Sequence, residues 1–312
     1  MGPFRTASED GIEGAKLNKY SQLCEEELIG EALKFVDAAF PNGILVEFGG
    51  STGKDNSNLF VFGEQGRELV LIESDLTCFK KLAQEITPHS TIKGILAEVG
   101  FASSAIGSTE IAAKQTGLLS EILRSHDVAC ELVSVVSIDI DGDDAAVFEN
   151  LGFLPEMAIV EFNPTLGVDS IYRNPPGHNV GNSPGELIRV AANLGMYAFG
   201  ATGTNLLFLR KSYLDKIPQI DVQEALRKYD LPRFGLGYDG TLVRFFSNGE
   251  NTTQEVYHNG WNDSFVRQPL PKFLRKYSKS GRRSRIGYFL WTGLFAAPIG
   301  TVKFLLQALF RK

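Results

Sequence analysis

The stretch Ile44-Leu45-Val46-Glu47-Phe48-Gly49-Gly50-Ser51-Thr52-Gly53 limits what this chain can fold into more than any other. An apolar run fit for a buried strand ends in an acid, and a glycine-rich turn follows at once. Glycine admits backbone conformations and close approaches that a Cβ forbids, so this turn is expected to bring main chain against a ligand. Spacing decides which ligand. The dinucleotide fingerprint needs G-x-G-x-x-G after the strand, and Gly49 and Gly53 cannot be laid onto it. The phosphate-cradling loop needs G-x-x-x-x-G-K-[ST]. Gly53-Lys54 offers its last glycine and its lysine, but Phe48 stands at the first glycine and Asp55 at the hydroxyl that holds magnesium.

The pattern Glu47-x-Gly49-x-x-x-Gly53 is similar to motif I of Rossmann-like S-adenosylmethionine methyltransferases, whose cofactor has no pyrophosphate and needs close backbone around its amino-acid half. On this resemblance Glu47, Gly49, Gly50, Ser51 and Gly53 are the cofactor-binding residues. Glu68 to Ile72 reads as a short buried strand, and Glu73 stands at its end, twenty residues after Gly53. An acid at that place in a nucleotide-binding α/β unit accepts hydrogen bonds from ribose hydroxyls. Glu73 is therefore the expected ribose ligand.

Elements of the two types alternate along the chain. Helical spacing over Glu25 to Phe40 is stopped by Pro41-Asn42-Gly43, and further helices are expected at Leu76 to Ile86, Leu118 to Arg124 and Leu187 to Leu194. Strands are expected at Thr91 to Leu96, Leu132 to Ile140 and Met157 to Phe162, with more strand material over Ala198 to Leu209. The order implies an α/β fold, a Rossmann-like doubly wound parallel sheet with ligands at the carboxyl ends of its strands. At 312 residues and 43% hydrophobic content the chain can bury one large core and carry an appendage. Cys24, Cys78 and Cys130 are far apart and form no C-x-x-C pair, which points away from a disulfide framework or a zinc site and toward a reducing compartment. The first residues lack a basic-then-apolar signal pattern, and a cytoplasmic protein is expected.

Chemistry concentrates after the Leu132 strand, in Ser137-Ile138-Asp139-Ile140-Asp141-Gly142-Asp143-Asp144. Strand alternation puts Asp139 and Asp141 on one face. Carboxylates that close repel unless a cation, a proton or a cationic ligand lies between them, so the pair is a candidate divalent-metal ligand set, for an ion such as magnesium, or a general base. Asp143 and Asp144 are expected to cap the following helix. The next strand ends in Glu161-Phe162-Asn163-Pro164, and the long loop Thr165 to Pro184, with Asp169, Tyr172, Arg173 and His178, reads as a substrate lid in which His178 is a candidate base.

The S-I-D-I-D-G run, Glu161-Phe162-Asn163-Pro164, Gly181-Asn182-Ser183 and the segment from Gly200 to Arg210 together resemble the FkbM-type methyltransferases over roughly residues 40 to 212. Asp143, Phe162 and Ala145 depart from that family's usual Asn, Tyr and aromatic. The resemblance implies methyl transfer from S-adenosylmethionine to a hydroxyl of a sugar or similar polyhydroxylated small molecule or glycan. Asp139 or Asp141 then serves as base or metal ligand, and Glu161 and Asn163 position the acceptor. Macrocin-type O-methyltransferases, with a similar acid cluster, are metal-dependent. An apolar strand followed by D-x-D also suits a metal-dependent nucleotide-sugar glycosyltransferase, which leaves the Glu47 motif and Glu73 without a role; a catalytically inactive, membrane-tethered binding protein is a third reading.

The C-terminal segment differs from the rest. From Ser264 to Lys312 there are eleven basic residues and no acid, although the chain as a whole carries a net charge of −6. Such asymmetry points to an anionic surface as partner. The basic cluster within Lys272 to Arg285 adjoins seventeen uncharged residues, Ile286 to Val302, which favours a lipid surface over nucleic acid. Gly293, Pro298 and Gly300 interrupt the apolar stretch, and Lys303, Gln307 and Arg311 form a polar stripe beside Leu305, Leu306, Leu309 and Phe310, the pattern of an interfacial helix. The expected organisation is a methyltransferase domain over 1–212, an appendage over 213–266 with hairpin strands around Asn248-Gly249, and a basic and apolar tail over 267–312 that holds the protein peripherally at the membrane.

Overall fold

The computed structural model describes residues 19–49, 51–100, 115–175, 178–227 and 229, and the strand backbone of 233–236, 242–245 and 254–255. Helix α1 (Glu25–Ala39) buries Ile29, Ala32, Leu33 and Val36, spaced three and four apart on one face. Asn42, at φ +61°, turns the chain into β1 (Ile44–Phe48), all of whose residues are buried. Then come α2 (Phe60–Glu64), β2 (Leu69–Glu73), α3 (Leu76–Ile86), β3 (Ile92–Val99), β4 (Gln115–Gly117), α4 (Leu119–Ser125), β5 (Val133–Ile138), α5 (Asp144–Glu149) and β6 (Met157–Glu161). The first unit closes with α6 (Pro184–Asn193), β7 (Met196–Ala201), β8 (Asn205–Arg210) and α7 (Val222–Leu226). The unbroken burial of β1, β2 and β5 is the mark of strands covered on both faces.

The eight strands form one sheet in the order β4-β3-β2-β1-β5-β6-β8-β7. From β1 the chain winds outward to β4, then returns to lay β5 against the other side of β1. The carboxyl ends of β1 and β5 therefore flank the point where the winding reverses, and ligands bind in the crevice outside such a point. This is a Rossmann-like doubly wound α/β sheet. It is not parallel throughout: β8 runs antiparallel to both β6 and β7. The strand material over Ala198 to Leu209 is divided by a turn at Thr202, whose N–H donates to Asn205 O and whose hydroxyl accepts from Asn205 N–H. Only three residues link β7 to β8, and a parallel neighbour would need a long crossover.

Residues 213–227, read from sequence as the start of an appendage, lie within this first unit, which extends to Tyr229. Ile217, Val222 and Leu226 are buried, Tyr213 donates to Glu156 at 2.9 Å and Tyr197 to Ile217 O at 2.6 Å. A second unit starts at Asp230 and contains an antiparallel sheet of β9 (Arg233–Leu236), β10 (Leu242–Phe245) and β11 (Gln254–Glu255). Strands β10 and β11 flank the expected Asn248-Gly249 hairpin, whose tip lies outside the described residues, as does the basic and apolar tail. Among the described residues no helix is long and apolar enough to cross a membrane.

Glu47, in β1, is buried beneath the glycine turn. The Ser57 hydroxyl, Asn58 N–H (2.8 Å) and Leu59 N–H (3.2 Å) all donate to its carboxylate, just before α2. Asn58 Nδ2 donates in turn to Ser137 Oγ of β5 at 3.1 Å. Glu47 thus ties the chain returning from the turn to the two central strands. Burial pushes its carboxyl up from an ordinary 4.5 to about 7, against the pull of these hydrogen bonds. Between those values the folded chain holds a proton that the unfolded chain has released, so stability falls as pH rises from about 4.5 to about 7. Denaturant midpoints should accordingly drop between about pH 5 and about pH 7.5, and Glu47→Gln, with no proton to lose, should flatten that drop. Equal slopes in the two proteins would remove Glu47 as its source.

Candidate active site

A cleft of about 600 Å³ opens at the reversal point of the sheet. Phe48, Gly49 and Ser51 line it from the end of β1, Ile72, Glu73 and Ser74 from β2, Ala97 to Gly100 from β3, Thr116 from β4, and Asp139 to Asp143 from the segment after β5. His178 and Asn179 complete the rim.

Backbone conformation creates the cleft floor. Gly49 has φ +86°, and a Cβ on it would fall 1.3 Å from the carbonyl oxygen of Asp139. The ends of the two central strands meet there, with Asp139 N–H donating to Phe48 O at 3.3 Å. Ser51 also has positive φ, +48°, and lines the cleft. Gly53 serves packing instead: at φ +99° it faces Leu82, whose Cδ1 lies 2.6 Å from where its Cβ would be. Lys54 pairs with Glu85 at 2.5 Å and does not line the cleft, nor does Glu47. Gly50 lies outside the described residues. At β2, Glu73 lines the cleft with one oxygen accepting from Asp75 N–H at 2.6 Å, while Asp75 caps α3 through Thr77 and Cys78 N–H.

The acids after β5 converge with the acid ending β6. Carboxylate oxygens of Asp139, Asp141 and Glu161 all lie within 4.8 Å of one another. A turn brings Asp139 and Asp141 together, not strand alternation, because β5 stops at Ile138 and Asp141 adopts φ +58°. Aspartate tolerates this conformation better than most residues. The turn is held by Asp144, which is buried and accepts from Ile140 N–H (2.9 Å) and Gly142 N–H (3.0 Å); it braces the loop behind it where a helix cap was expected. Asp143 stands at the cap position of α5, but its carboxylate accepts from Asn174 Nδ2 at 2.9 Å. Burial pushes Asp139 up to about 6, opposed by a hydrogen bond from Glu161. Glu161 is raised well above the ordinary carboxylate range by burial and then by the charge of Asp139.

The loop Thr165 to Pro184 is a braced wall. Asn174 accepts from Val180 N–H and donates to Asp143, Pro175 O and His178 O. Asn182 accepts from Asn174 N–H and donates to Gly142 O at 2.7 Å. Asn163 spends its amide on Val180 O and Thr165 N–H, so it shapes the loop and does not line the cleft. Gly142 is required by this contact, since a Cβ there would sit 2.8 Å from His178 O. His178 reaches the rim as an exposed residue. Sequence reasoning missed Glu98, Ser74 and Thr116. For Glu98 a signal existed, an acid near the end of the third strand, but that strand was expected to end at Leu96. Asn182 stood in the Gly181-Asn182-Ser183 segment of the resemblance without a role, and Asn174 carried no signal.

No family model and no curated protein matches the chain. Among solved structures, the CcbJ methyltransferase from Streptomyces caelestis is similar over 61% of this chain and 90% of its own, at 14% identity and a TM-score of 0.35. The N-terminal domain of EvdMO1 with SAH bound is similar over 58% of this chain and 79% of its own, at 8% identity and 0.35. Fibrillarin from Aeropyrum pernix, in complex with natively bound S-adenosyl-L-methionine, is similar over 54% and 65%, at 12% identity and 0.34. Likeness at these values assigns no role to any residue of the cleft.

The contact between Gly49 and Asp139 yields a direct test. Gly49→Ala should destabilise the chain by more than the roughly 1–3 kcal/mol of an unfavourable φ alone, because the methyl group also meets backbone that cannot yield. Chemical denaturation measures this, and an unchanged midpoint would mean that the two strand ends do not converge.

Proposed function

We propose that this chain is an S-adenosylmethionine-dependent methyltransferase that acts on a hydroxyl of a sugar or similar polyhydroxylated acceptor, of the FkbM type that residues 40 to 212 resemble. The observation that carries the reading is a single cleft, at the reversal point of the sheet, lined by Gly49, Ser51, Glu73, Asp139 and Asp141. The fit to the cofactor is chemical. Gly49 leaves main chain bare at the floor, and Glu73 closes β2 where a ribose diol is recognised in this class of sheet. Glu73, Glu98, Asp139, Asp141 and Asp143 line the cleft, and among the described residues no lysine or arginine does. Such a surface suits a cationic sulfonium and opposes a pyrophosphate, which weighs against nicotinamide and nucleotide-sugar ligands.

Bound S-adenosylmethionine would supply a methyl group on a positively charged sulfur. The acceptor hydroxyl is held in line at about 3 Å, and Asp139 or Asp141 takes its proton as the new oxygen–carbon bond forms, the sulfur keeping the electron pair of the bond that breaks. Glu161, outside the cleft lining, positions the acceptor through these two acids. Asn163 acts through the loop that it braces.

Glu73→Ala should weaken S-adenosylmethionine binding by about 1.5–3 kcal/mol, the cost of losing hydrogen bonds to a charged group. Asp139→Asn or Asp141→Asn should abolish labelled-methyl transfer to sugar acceptors and leave cofactor affinity within a few-fold, as expected for groups that act in the transition state. Calorimetry with S-adenosylmethionine, NAD and a nucleotide sugar decides the cofactor class. Binding of the nucleotide sugar alone would replace methyl transfer by glycosyl transfer.

The tail supports a peripheral attachment to anionic membrane from the cytoplasmic side. Its clustered Lys and Arg contribute roughly 1 kcal/mol each near such a surface, and its Trp, Phe and Leu side chains add apolar burial. Full-length protein should sediment with anionic vesicles, more weakly at high salt, and replacing Lys272, Arg275, Lys276, Arg282, Arg283 and Arg285 by Gln should remove the salt-sensitive part. Equal sedimentation of both proteins would exclude the basic cluster as part of the anchor.

A further inference from the structure

We infer that Asp139, Asp141 and Glu161, together with the side-chain carbonyl of Asn205, form a binding site for one hard divalent cation of the magnesium, manganese or calcium type. The spacing is that of a coordination sphere. Ligands at about 2.0–2.6 Å from one ion lie no more than about 5 Å from each other, and the three carboxylate oxygens are mutually within 4.8 Å. Three carboxylates held so close need positive charge between them, or a shared proton. The lysines and arginines whose ion pairs are described serve other acids: Lys19 pairs with Glu64, Lys54 with Glu85, Arg67 with Asp37 and Arg210 with Glu156. Arg173 and Arg189 meet at Glu186.

Asn205 supplies an independent observation. It starts β8 directly opposite Glu161 of β6, and opposed residues of an antiparallel pair project from the same face with Cβ atoms about 4.5–5.5 Å apart. Asn205 is only 5% exposed, yet its Oδ1 has no hydrogen-bond partner among the described residues. A buried acceptor left unsatisfied costs about 1–3 kcal/mol. Reversing the amide would not relieve it, because Nδ2 donates to the buried carboxylate of Glu25 at 3.1 Å and a reversed amide would turn carbonyl toward carboxylate. Glu25 is fixed in turn by the Thr202 hydroxyl, at 2.6 Å, and by Leu23 N–H, at 2.8 Å. The fold thus places a neutral oxygen donor on the sheet face that carries Glu161, one of the three anionic ones. An all-oxygen donor set without histidine or cysteine suits hard cations.

The site stands on this geometry alone, and only its purpose, to acidify an acceptor hydroxyl, rests on the methyl-transfer reading. Full-length protein stripped with chelator and titrated calorimetrically with Mn²⁺ and with Mg²⁺, with neither cofactor nor acceptor present, should bind one ion per chain. Asp139→Asn and Asp141→Asn should each abolish measurable binding, and Asn205→Leu should weaken it at least about tenfold. Asn205→Asp should bind more tightly, a gain that a merely unfolded variant would not show. S-adenosylmethionine affinity, measured on the same samples, reports folding separately, so cation binding without cofactor binding would sink the methyl-transfer reading and leave the site standing. No binding at millimolar Mn²⁺ and Mg²⁺, or affinity unaffected by all four variants, would each overturn the inference.

Discussion

The ends of the two central strands touch at Gly49 and Asp139, and the rest of the site depends on that contact. A side chain at Gly49 would occupy the space of the Asp139 carbonyl, so glycine is the residue that lets β1 and β5 finish at one level. Once they do, the turn after β1 and the acid run after β5 share a cleft. Glu73 joins from β2, which is in register with β1 from Leu69 to Ile72.

Buried carboxylates do much of the bracing around this contact. Glu47 gathers the chain leading into α2, Asp144 the turn after β5, and Glu26 the N–H groups of Lys19, Tyr20 and Ser21 ahead of α1. Each accepts from main-chain donors that no regular element satisfies, which makes an enclosed acid tolerable. The acids after β5 and β6 are of another kind. Asp139 and Asp141, which line the cleft, and Glu161 beside them face one another, and that difference in partners separates them from the bracing acids.

Much of the fold was legible in the sequence because its signals are local. Continuous apolar runs marked β1, β2, β5 and β6, Pro41-Asn42-Gly43 marked the end of α1, and the bounds of α3 agree at both ends. The reversal at β8 was not legible, since a single apolar stretch with a short polar interruption reads equally as one strand or two. Within the site, Asp139, Asp141 and Glu161 were legible as acids at strand ends, and the structure brings them together. Which way an acid turns is a tertiary matter, and Glu47 turns inward. Asn205 meets Glu25 across 180 residues, and no sequence period records such a pairing. The amide of Asn174 is equally silent, and that of Asn182 was marked only as part of a motif, because loop asparagines show their worth only when the atoms they hold are known.

The braced loop between β6 and α6 carries a consequence for how such chains can diverge. Asn174, Asn182 and Gly142 couple its course to the turn that presents Asp141. An insertion or deletion within it would shift the register of these amides and move the acid at its far end. The rim can therefore change by substitution, at positions such as His178 and Asn179, without disturbing the turn, whereas the length of the loop cannot.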